Sequence, residues 1–163
     1  MVVSDVLIEH ASPNLVVGLW QNAVIQIFYG PITVAGLKRT DIVHRRVAAS
    51  FEQTLSFSVT ASQFHLPDAE ARRVASQLIE SRGTRLLVSA IVIEGGGMWA
   101  TAARSAVTGM FLLGGGLKRN RSFSNIDEAA NWSAPLVKPA LDAAALAKAV
   151  QTVRTYDRAN ERP

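Results

Sequence analysis

Residues 86–105 read LLVSAIVIEGGGMWATAARS. The first eight are almost continuously apolar, as a strand covered on both faces requires. Three glycines follow, and then a stretch whose composition predicts a helix over 98–113. Arg104 is the single charge of that helix, and Thr101, Arg104, Ser105 and Thr108 form one narrow polar stripe. A helix so apolar is either mostly buried or meets another protein. Strand, glycine turn and helix in succession point to an α/β domain whose working edge lies where the strand hands over to the helix.

Reading outward from this stretch gives the same class. On its N-terminal side, Ala71, Val74, Ala75, Leu78 and Ile79 fall at i, i+3, i+4, i+7 and i+8, an amphipathic stripe expected to bury Leu78 and Ile79 against a sheet. Pro67 is placed at the first helical position, Asp68 and Glu70 lie in the first turn, Arg82 in the last, and Gly83 stops the helix. Leu55, Phe57 and Val59 alternate with Ser56, Ser58 and Thr60, which predicts a strand with one buried face. Thr33 caps a helix reaching about Ser50, with Leu37, Val43, Val47 and Phe51 on its apolar side. Strands near 6–10, 15–20 and 23–29 are separated by Ser12-Pro13-Asn14 and by a tight hairpin turn at Gln21-Asn22. On the C-terminal side, 121–124 reads as an edge strand, and Ser124 or Asn125 caps a helix through Trp132. Residues 134–139, Ala134-Pro135-Leu136-Val137-Lys138-Pro139, read as a linker. Beyond them, Ala143, Leu146, Val150 and Val153 share one side of an alanine-rich helix, which packs on the core or pairs with another copy. The expected organisation is a domain over 1–133, the linker, and a C-terminal helix with a frayed tail over 140–163.

Composition narrows the function. The chain has 163 residues, 48% of them hydrophobic and 18% charged, which is globular composition for one domain. Its net charge of +4 is scattered rather than concentrated and interleaved with aromatics, so nucleic-acid binding is not expected. Without cysteine there is no disulfide, thiolate metal site or cysteine nucleophile. The start, MVVSDVLIEH, is unlike a signal peptide, and the apolar stretches 86–93 and 105–113 fall far short of the ~20 residues that span a bilayer. A soluble cytoplasmic protein without membrane insertion is expected.

Chemical motifs are sparse. Gly95-Gly96-Gly97-Met98-Trp99-Ala100 nominally fits the G-x-G-x-x-A dinucleotide fingerprint, but no acidic residue stands about twenty positions on to bind a ribose. Glycines that permit a tight turn and close helix–sheet packing explain the loop more simply, and no cofactor is expected. No nucleophile elbow is present. His10, His44 and His65 have no partners at ligand spacing, so neither a metal site nor a catalytic residue is expected. Trp20, Trp99 and Trp132 suit a core, while Trp99, in the first turn of its helix, equally suits an exposed anchor.

The element order and the closing phrase Phe123-Ser124-Asn125-Ile126-Asp127-Glu128-Ala129-Ala130-Asn131-Trp132 resemble the SpoIIAA-like branch of the STAS superfamily, also described as STAS/SEC14-like, over roughly residues 4–133. The resemblance implies a small mixed sheet covered by helices, four to six strands in this chain, with the C-terminal helix as an addition. It also implies a bacterial-type regulatory or scaffold module rather than an enzyme. Members of that family are switched by phosphorylation at the start of a helix following a central strand. Gly95, Gly96, Gly97, Met98 and Trp99 offer no hydroxyl there, and Thr101 comes over a turn late, so binding without the phosphoswitch is the expectation. The expected partner-binding set is Gly95, Gly96, Gly97, Met98, Trp99, Thr101 and Arg104, facing a protein partner or a second copy in a homodimer. The alternative implied by the resemblance is a small apolar, lipid-like or anionic ligand, in a pocket lined by Met98, Val107, Met110, Phe111 and Leu112.

Overall fold

Ala23, Ile25 and Ile27 enter one apolar cluster, while Val24 and Phe28 enter another on the opposite side of the same strand. That alternation sets the two faces of a sheet. The computed structural model describes residues 5–61, 66–82, 86–113 and 119–156. Its strands are β1 (Leu7–Ala11), β2 (Leu15–Trp20), β3 (Ala23–Phe28), β4 (Thr54–Thr60), β5 (Leu86–Ile93) and β6 (Asn120–Phe123). The helices are α1 (Val34–Ser50), α2 (Ala69–Arg82), α3 (Gly97–Leu113), α4 (Ile126–Ser133) and α5 (Ala143–Arg154).

The six strands lie in chain order, β1 to β6. The first three pair antiparallel and β3 to β6 pair parallel, so the chain forms a mixed α/β sheet. Parallel neighbours need crossovers, and α1, α2 and α3 supply them. The stretch 86–93 lies inside the sheet as expected, between β4 and β6.

Local signals fix the helix starts. The Thr33 hydroxyl accepts from the Gly36 amide and the Asn125 side chain from the Glu128 amide. Asp68 is the cap of α2, its carboxylate 2.7 Å from the Ala71 amide. Pro67 therefore lies before the helix rather than in it, because an aspartate satisfies a free N–H that a proline cannot. The hairpin turn at Gln21-Asn22 holds Gln21 at φ 52°. The Asn22 amide then donates to the Gln53 and Pro139 carbonyls, both at 3.2 Å.

One face of the sheet is covered by α4 and α5. Leu55, Phe57, Val59, Val88, Ala90 and Val92 pack there against Ile126, Ala129, Leu146, Val150 and Val153. Segment 134–139, read as a linker, contains a 3-10 turn over Ala134–Leu136, and both Ala134 and Val137 are buried in this cluster. The C-terminal helix packs on the core.

The other face carries α1, packed on β2 and β3, and α3, packed on Ile91 and Ile93; α2 lies against α1. Here β4 differs from expectation. Thr54, Ser56 and Thr60 are buried as well as the apolar alternates, so the strand is covered on both sides. Polar groups on that side bond within the core: Gln26 Nε2 donates to Ser56 Oγ at 2.9 Å and lies 3.1 Å from His44 Nε2, while Thr60 donates to the Val92 carbonyl. His44 is thus a buried structural residue of α1. On α2, Ala71 and Val74 are buried, but Leu78 is only half-buried, which corrects the expectation for that residue; the Ile79 side chain lies outside the described residues. At the sheet's antiparallel edge, Glu9 pairs with Arg46 and pushes that guanidinium above its ordinary pKa.

Candidate partner-docking site

The helices that follow β5 and β6 leave toward opposite faces: α3 packs on Ile91 and Ile93, α4 on the Ala90 and Val92 side. Divergence of this kind leaves the carboxyl ends of adjacent parallel strands uncovered, the usual position of ligand crevices in open α/β sheets. Glu94, Gly95, Gly96 and Gly97 occupy that position.

Gly95 and Gly97 adopt φ values of 105° and 86°. Side-chain-bearing residues avoid this region, so glycine is required for the turn itself. A Cβ at Gly95, Gly96 or Gly97 would meet nothing within 4 Å. Close helix–sheet packing therefore does not explain the triplet. Its role is to turn the chain sharply while leaving the backbone bare.

The next residues project outward. Met98 is 90% exposed, the most of any large apolar side chain described, and Trp99 is 48% exposed. Of the two readings open for Trp99, the exposed one holds. Trp20 is buried, and Trp132 is half-buried with its ring 5.4 Å from that of Phe123. Ala100, Ala103 and Val107 turn inward and hold α3 on the sheet. Leu66, just before α2 and also exposed, lies beyond the carboxyl end of neighbouring β4. Of the pocket-lining candidates, Met98 points to solvent and Val107 is buried; the side chains of Met110, Phe111 and Leu112 lie outside the described residues.

Polar residues brace the loop rather than rim it. Arg104 donates to the Ile93 carbonyl at 2.9 Å and to that of Gly95 at 3.3 Å. Thr101 donates to the Gly97 carbonyl at 3.1 Å. Thr108 bonds the Arg104 carbonyl and contacts the Ser122 hydroxyl of β6 at 3.1 Å. From the opposite layer, Arg154 at the end of α5 grips Glu94 with both arms, at 2.5 and 2.6 Å. The Tyr29 hydroxyl donates to the Arg154 carbonyl.

The structure brings all seven expected site residues onto one loop and the first two turns of one helix. Sequence reading missed Glu94, Arg154 and Tyr29. Glu94 was visible as the acid ending an apolar strand, but its partner stands 60 residues away. Among the described residues, no helix is long and apolar enough to cross a membrane. No protein-family model, curated protein or solved structure matches the chain.

Proposed function

We propose that this chain is a non-enzymatic regulatory or scaffold module that docks a protein partner on the carboxyl end of its sheet, through Gly95–Gly97 and the first turns of α3. The observation that carries this reading is the solvent-facing pair Met98 and Trp99, held at the start of α3 beside a loop braced from both layers. Exposing a tryptophan and a methionine side by side has a cost in water, and contact with another surface recovers it. Methionine adapts to irregular surfaces, and tryptophan is the residue most enriched among binding hot spots. Bare glycine backbone beside them lets a second chain approach closely.

Bracing favours binding further. A loop already fixed in its bound geometry loses little conformational entropy on association. The resemblance to SpoIIAA-like proteins agrees with this reading, and with no hydroxyl at the glycine turn the module works as a constitutive docking surface.

The test is affinity purification with the wild-type chain, Trp99→Ala and Met98→Ala as parallel baits, followed by mass spectrometry and titration calorimetry on the partner recovered. Trp99→Ala should weaken binding by about 2 kcal/mol or more while the circular dichroism spectrum and melting transition are retained. A partner that binds the folded Trp99→Ala protein as tightly as wild type overturns the assignment of this edge.

A further inference from the structure

A cavity of about 260 Å³ opens at the carboxyl end of β3, two strands away from the glycine loop. On one side the β1–β2 turn rises, and on the other the chain leaves β3 for α1. Buried Leu15 and Phe28 form its apolar floor, and His10, Ser12, Asn14 and Arg39 stand in its walls. No carboxylate lines it among the described residues.

Most of the described arginines are already engaged. Arg45 and Arg46 are paired with Asp41 and Glu9, Arg154 with Glu94, and Arg104 is spent on backbone carbonyls. Arg39, exposed on α1, has no ion pair or hydrogen bond among the described residues. It lines a concave space together with an imidazole and a carboxamide, and no acid stands among the described lining residues. A guanidinium presents donors in a planar fork that fits two oxygens of a phosphate or a carboxylate. The volume lies just below the ~300–1,000 Å³ of pockets for drug-sized ligands, which restricts the occupant to a small group.

We propose that this cavity binds a small oxyanionic group, phosphate or carboxylate, with Arg39 as its principal ligand and His10 and Asn14 beside it. Leu15 and Phe28 shield one side of the bound group from water, which strengthens each charge-assisted bond made above them. The site is independent of the docking edge at Met98 and Trp99, so either can fail without the other.

The experiment is an amide NMR titration of the full chain with inorganic phosphate and, separately, with acetate, at ionic strength held constant with sodium chloride. Saturable shifts confined to the amides of Ser12, Asn14, Thr33, Ala35 and Gly36 are expected, and the anion that saturates at lower concentration names the chemical source. Arg39→Gln should weaken that binding about tenfold with an otherwise superimposable spectrum, and Arg72→Gln should leave it unchanged. Shifts that fail to saturate with both anions, or that are the same in wild type and Arg39→Gln, overturn the proposal.

Discussion

Gln21 sits at the first central position of a two-residue hairpin turn with φ 52°, the one described non-glycine residue in the left-handed region. Its side chain is exposed, so the turn keeps it for no packing reason. A glycine would adopt this conformation without the ~1–2 kcal/mol that an L-residue incurs, offset in part by the greater freedom of glycine in the unfolded chain. Gln21→Gly should therefore raise stability by about 0.5–1 kcal/mol in urea unfolding, with an unchanged denaturant slope. Position 21 was legible as a turn because the apolar runs on either side stop there. The sign of its φ was not, since glutamine gives no hint of it. The same limit holds at the docking edge. Glycine spacing marked the loop, whereas only coordinates could show that Met98 and Trp99 leave the core while Ala100 enters it.

Elements were read well where their signals are local. The strand runs, the Thr33 and Asn125 caps and the stripe of α5 all lie within a few residues of the structure they specify. What an element packs against is a different kind of information. Alternation in β4 showed its apolar side, but burial of Ser56 depends on Gln26, 30 residues away. The half-burial of Leu78 likewise reflects the position of α2 beside α1 rather than any feature of the helix itself. Contact between α5 and the sheet is close enough to test with one methyl group. A Cβ at Gly18 of β2 would collide with Val153 of α5. Gly18→Ala should cost about 1–3 kcal/mol through overpacking, measured by chemical unfolding. Removing the helix should do far more. A chain ending at Ala140 loses Leu146, Ala149, Val150 and Val153, all fully buried, and leaves Ile25, Ile27 and Trp20 facing water. Such a chain should show no cooperative thermal transition and should bind a hydrophobic dye; a sharp melt at the wild-type temperature would mean that residues 1–140 are self-sufficient.

The whole molecule is three layers, and the sequence alone gave little access to their order. Periodicity tells how a strand divides its faces but not which helix covers each. The layer made by α4 and α5 is assembled from residues that are remote in the chain, and the clamp of Arg154 on Glu94 and of Tyr29 on Arg154 spans the layers in the same way. That last contact joins positions 125 residues apart. Its consequence is kinetic. Topologies that depend on distant partners fold slowly, because chain entropy must be given up before the contact can form. During synthesis, β2 and β3 exist for the time needed to add that intervening chain, on the order of ten seconds at ~5–20 residues per second, before α5 can reach them. Throughout that interval one face of the nascent sheet is uncovered, and its apolar strands are open to other chains. The last helix thus ends an exposure that the first hairpin begins.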